Sequence, residues 1–146
     1  GINGPVQAGR GYFLSSRGNL VIIDADNTNA LDVTAPTYEV PLDPQGGFNM
    51  IANPFKIPVR LQDTCIRLSG SPSSPFVQAI NSNLVDNALY LWRDDQDSYT
   101  FGTINFNNLN DPGNPVLSPW KGYGIRMNVA GAYSIIFKNS ASVSCP

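Results

Sequence analysis

Apolar residues along this chain rarely recur at the i, i+3, i+4, i+7 spacing of a helix, and Pro or Gly interrupts most windows longer than ten residues. Short apolar runs bounded by Asn, Asp, Gly, Ser and Pro clusters take their place, the pattern of strands and turns. It predicts strands at residues 11–15, 19–24, 37–41, 48–52, 57–61, 88–93, 99–106, 122–128 and 133–138. The expected fold is all-β: an antiparallel, jelly-roll-like β-sandwich of about nine short strands with little or no helix. A chain of 146 residues makes one ordinary domain, so residues 1–146 are read as a single sandwich.

Several runs are apolar on both parities, among them Leu20 to Ile23 and Ala88 to Trp92. Such strands have both faces covered, by a second layer or by long loops. Residues 69–82 are the expected covering loop, and residues 76–80 are the place for one short helix. Residues 107–119 should be irregular, because Pro112, Pro115 and Pro119 cannot donate to a sheet ladder.

Two segments resemble each other. Gly9-Arg10-Gly11-Tyr12-Phe13-Leu14, followed by Gly18 to Ile23, matches Trp120-Lys121-Gly122-Tyr123-Gly124-Ile125, followed by Gly131 to Ile136. Each is read as a β-hairpin entered through a glycine, although short Gly-Tyr hairpins can also match by chance.

Composition narrows the chemistry. Charged residues are 14% of the chain, against about 25% in an average soluble domain, while Asn occurs sixteen times. Nine Lys plus Arg are spread along the chain and the net charge is −2, so no basic stripe exists for nucleic acid or anionic lipid. No apolar run approaches the roughly 20 residues needed to cross a bilayer, and no membrane insertion is expected. There is no His, which removes the usual zinc sites, Ser-His-Asp triads and Cys-His dyads. Cys65 and Cys145 are read as one disulfide formed in an oxidising compartment, the alternative being two free thiols. That bond would close a loop of roughly 80 residues and stabilise the fold by about 4–5 kcal/mol in the chain-entropy model.

Four stretches carry a family resemblance: Ala8 to Tyr12, Gly47-Phe48-Asn49-Met50-Ile51-Ala52-Asn53-Pro54-Phe55, Val85 to Asp94, and Ser118 to Ile125. In this order they resemble a β-sandwich module of bacterial secreted and surface multidomain proteins. Its segments read Pro-Gly-Arg-Gly-Tyr, Gly-Trp-Asn-Leu-Ile-Gly-Asn-Pro-Tyr, Asp-Asn-Ala-Ile-Tyr-Val-Trp-Asp and Pro-Gly-Gln-Gly-Phe-Phe-Val. The sequence departs from that pattern with Phe48 for Trp, Ala52 for Gly and Trp120 for Gly. The resemblance implies a non-catalytic part of an exported or surface-attached protein, excised or processed from a longer product. It implies no particular activity.

Aromatic side chains supply the first candidate site. Trp120, Tyr123, Tyr12, Tyr99 and Trp92 are candidate ligand-binding residues, because C–H faces of sugars stack on exposed rings while Asn and Asp bond the hydroxyls. Tyr90 and Trp92 share a strand face, as do Tyr99 and Phe101, and the competing reading, favoured for Tyr90 and Trp92, places that pair in the core. Asp94, Asp95 and Asp97 put oxygens at alternate positions, as do Asp24 and Asp26 with Asn27, which makes calcium a candidate cation. Ordinary Asp-rich turns explain both loops equally well, and no cofactor is required.

No enzyme is expected: no carboxylate pair is singled out, and Ser71 and Ser73 have neither a nucleophile elbow nor a His. The expected function is therefore a secreted, extracellular binding or adhesion module for a polysaccharide or cell-surface glycan. The alternative is a structural subunit that self-associates into an extracellular filament or surface layer. In that case exposed edges, or a donated strand from residues 1–8, would join the copies.

Overall fold

The computed structural model describes residues 9, 35–93, 98–103, 115–119 and 121–146, with backbone alone at 91–93 and 98–103. The described chain forms β1 (Thr37–Pro41), β2 (Gly47–Ala52), β3 (Val59–Arg60), β4 (Cys65–Leu68), β5 (Ser74–Pro75), the helix α1 (Phe76–Asn81), β6 (Ala88–Arg93), β7 (Ser98–Thr103), β8 (Val116–Leu117), β9 (Gly122–Met127) and β10 (Tyr133–Lys138). A 3-10 turn spans Leu61–Asp63. The expected strands at 11–15 and 19–24, and the end of the one at 99–106, lie outside the described residues.

Strands pair antiparallel into a first sheet of order β1-β10-β4-β5, a second of order β2-β9-β6-β7, and a two-stranded ribbon of β3 and β8. Alternation does the sorting. Val40, Ile66, Ile135 and Phe137 of the first sheet and Ile51, Leu89, Tyr123, Ile125 and Met127 of the second belong to one buried cluster. Each such side chain contributes roughly 1.5–3 kcal/mol on burial, so this shared core outweighs any single turn or ion pair. The expected helix is α1, whose Phe76 and Ala79 are buried in the same cluster.

The expected C-terminal hairpin is not one. β9 pairs with β2 and β6 in the second sheet, whereas β10 pairs with β1 and β4 in the first, so the connection between them is an arch. β1 and β2 form a companion arch running the other way, and the two connections pack together: Gly131 N–H donates to Pro44 O at 2.9 Å. Gly46 is needed there. Its φ is +75°, and a Cβ would stand 2.8 Å from the Val129 carbonyl oxygen.

Two proline-containing stretches differ from expectation. Val116 and Leu117, inside the stretch read as irregular, pair with Arg60 and Val59. Pro115 cannot donate, but it accepts the Leu61 N–H at 3.0 Å. The strand expected at 57–61 shrinks to Val59–Arg60, because Pro58 has no N–H and Leu61 starts the 3-10 turn, which Thr64 closes through its N–H and Oγ1 to Leu61 O.

β4 was not expected from the pattern, yet it is an inner strand of the first sheet. Its Cys65 is bonded to Cys145, with Cα atoms 5.8 Å apart. That bond draws the last residues across the outer face of the sheet. There, Ile136 lies opposite Cys65 and is 1% exposed although it is not part of the core cluster. The Ser73 hydroxyl and the Arg67 guanidinium both donate to Pro146 O, and Arg67 also pairs with Glu39 at 3.0 Å. Ile135 and Phe137 of β10 thus lie in the core, while Ile136 is inaccessible on the face that carries the disulfide.

Candidate functional site

The outer face of the second sheet differs in kind. Alternation turns Asn49 and Ile51 of β2, Tyr123, Ile125 and Met127 of β9, and Leu89 of β6 inward. The even positions therefore face outward: Phe48 and Met50, Gly122, Gly124 and Arg126, and Tyr90. Register places Met50 opposite Gly124, Gly124 opposite Tyr90, and Tyr90 opposite Phe101. One row of positions crosses all four strands.

Phe48 is 47% exposed, and its ring meets that of Tyr90 edge to face with centroids 5.3 Å apart. Pairs of this geometry contribute about 0.5–1.5 kcal/mol beyond area. Phe48 lies over Gly124, and Tyr90 is that glycine's cross-strand partner on β6. A methyl at that position would overlap the tip of the Phe48 ring, so the glycine is a floor that lets Phe48 lie down across β9. Arg126 lies directly opposite Phe48 and is exposed. Chemically the face offers a partly open aromatic surface, a side-chain-free strip and one guanidinium.

The expected ligand-binding residues fall in three groups. Tyr12 and Trp120 lie outside the described residues. Trp92 and Tyr99 are backbone partners across β6 and β7, two residues along from the Tyr90–Phe101 pair. Tyr123 points the other way: it is 5% exposed, its hydroxyl accepts the Ser118 N–H at 2.8 Å, and its ring is in the core. Its place is that of a linchpin between β9 and the β3–β8 ribbon, with no ring face open to a sugar. Tyr90, by contrast, is outside the core cluster because Leu89 takes the inward position.

The Asn residues of the quoted motif are also occupied. Asn49 accepts the Asp43 N–H at 2.6 Å, while Asn53 donates to Ile57 O and Leu117 O and accepts the Phe55 N–H. Asn53 thereby ties the end of β2 to the ribbon, which gives the Asn53-Pro54-Phe55 motif a structural role. Asp94, Asp95 and Asp97 lie outside the described residues, as do Asp24 and Asp26. Among the described residues no group of three or more Cys, Asp or Glu is arranged to hold a metal ion. No described helix is long and apolar enough to cross a membrane.

Nothing in the spacing along the chain marks Phe48 and Arg126 as binding residues. The available signal was Gly124 itself, a glycine inside an apolar strand, which marks close approach of a neighbouring group. Set against protein-family models, curated proteins and solved structures, the chain matches none of them.

Proposed function

We propose that this protein is a non-catalytic extracellular carbohydrate-binding or adhesion module, and that the outer face of the β2-β9-β6-β7 sheet is its binding surface. The observation that carries this reading is Phe48, a large ring left 47% exposed on a sheet face whose glycine floor and Tyr90 neighbour hold it in one orientation. Flat sugar faces stack on such rings, and a ring already fixed loses little entropy on binding. The Cys65–Cys145 bond supports an oxidising compartment, which suits secretion.

Retention on a panel of insoluble polysaccharides tests the reading. At least one polymer should retain the protein, and Phe48→Ala should lose that retention while remaining folded. Retention on no polymer, or undiminished retention of Phe48→Ala, would contradict it.

A second reading, self-association into a filament, rests on β7. Its residues Ser-Tyr-Thr-Phe-Gly-Thr contain neither charge nor proline, the usual guards of an edge, and among the described residues it pairs with β6 alone. Negative-stain microscopy of concentrated protein would reveal ordered polymers if this reading holds and only dispersed particles if it does not.

A further inference from the structure

The position of Arg126 narrows the class of glycan, on the premise that the outer face binds sugar at all. Phe48 and Arg126 are cross-strand partners in the β2–β9 register, and both project from the same face. The other outward positions described on β2, β9 and β6 carry aromatic, aliphatic or no side chains, so Arg126 is the one charge among them. It is exposed, and no carboxylate among the described residues lies within ion-pair distance of it. Asp86, at the head of β6, meets β9 through its backbone, its N–H donating to Arg126 O at 2.9 Å.

We infer that this face selects an acidic sugar, a uronic acid unit within a polysaccharide. Its C–H face stacks on the Phe48 ring while its carboxylate takes the fork of the Arg126 guanidinium. Cross-strand side chains start roughly 5 Å apart, close enough for one sugar unit on the Phe48 ring to present its carboxylate to the long Arg126 side chain. A planar guanidinium matches a carboxylate with two parallel hydrogen bonds, which a neutral hydroxymethyl group cannot accept in the same way. The net charge of −2 makes the protein as a whole a poor partner for a polyanion. Retention by one must then come from a local site.

Affinity electrophoresis separates the possibilities, using gels containing polygalacturonate, alginate, fully methyl-esterified polygalacturonate or neutral galactan. The wild type should be retarded roughly tenfold more strongly by at least one uronate polymer than by the esterified form. Arg126→Gln should erase that preference, Arg126→Lys should keep part of it, and Phe48→Ala should lose retardation by every polymer. Added salt should weaken the uronate interaction and leave any neutral one unchanged. Equal retardation by acidic and esterified polymers, or a preference that survives Arg126→Gln, overturns the inference. Binding to the neutral polymer without an acidic preference removes this inference and leaves the glycan reading standing, whereas retardation by none of the polymers removes both. Arg126 is exposed, so its variants should melt with the wild type, which keeps a loss of binding distinct from a loss of fold.

Discussion

The two sheets share one core and differ on their outer faces. On the first sheet, residues 139–146 lie over the outside, and Ile136 is as inaccessible there as the core residues beneath it. On the second, the outside carries Phe48, 47% exposed, over a glycine floor, with Arg126 exposed on the partner strand opposite it. Strands apolar on both parities occur in each, so the pattern alone does not say what the second apolar face is for. In the first sheet it is closed by the chain itself through a disulfide and polar clamps. In the second a large ring and a cation remain accessible, which is the physical basis for reading that face as the one that meets a ligand.

Substitutions on the two faces should therefore cost different things, and the largest effect belongs to the closed one. Cys145→Ser opens the 80-residue loop and should lower unfolding free energy by about 4–5 kcal/mol in the chain-entropy model, read by urea denaturation against the wild type. Ile136→Ala should cost about 3 kcal/mol, as for a core isoleucine. A cost under about 1 kcal/mol would mean that the outer face of the first sheet is open after all, and the comparison would fail. Glu39→Gln removes an ion pair with both partners partly exposed and should cost less than about 1 kcal/mol, less still in high salt. Phe48→Ala should cost about 1 kcal/mol, from the lost edge-to-face contact with Tyr90 and the half-buried ring, and it should remove glycan retention.

Much of this fold is legible from the pattern, and the exceptions have identifiable causes. β1, β6 and β10 lie where the pattern predicts strands, and α1 lies where one short helix was expected inside the covering loop 69–82. β4 escapes because Cys-Ile-Arg-Leu is four residues long and has no alternation, two buried positions followed by a half-buried and an exposed one. The β9–β10 arch looks like a hairpin because the connection from Asn128 to Ala132 is short enough for either. Only pairing to β2 and β1 decides, and those partners lie far upstream, from the Ala52–Gly122 pair to the Thr37–Lys138 pair. The disulfide is readable from the cysteine count, but the covered face it creates is not, since nothing local marks Ile136 as lying beneath the tail.

The site was less legible than the fold. Ala88 to Trp92 is apolar at every position, so parity could not tell that Leu89 turns in and Tyr90 out. Tyr123, singled out as a binding residue, turns in because its hydroxyl finds Ser118 and its ring finds the core. Phe48 and Arg126 are separated by 78 positions in sequence and become neighbours only through the β2–β9 register. A spacing argument along the chain has no access to that contact, although Gly124 between Tyr123 and Ile125 pointed toward it.

The most direct test maps contact rather than affinity. In a ¹H–¹⁵N NMR titration with short oligosaccharides from a polymer that retains the protein, shift changes should concentrate at Phe48, Met50, Tyr90, Gly124 and Arg126 and spare β1, β4 and β10. Changes centred on the first sheet, or none at saturating oligosaccharide, would contradict the assignment of the open face as the binding surface.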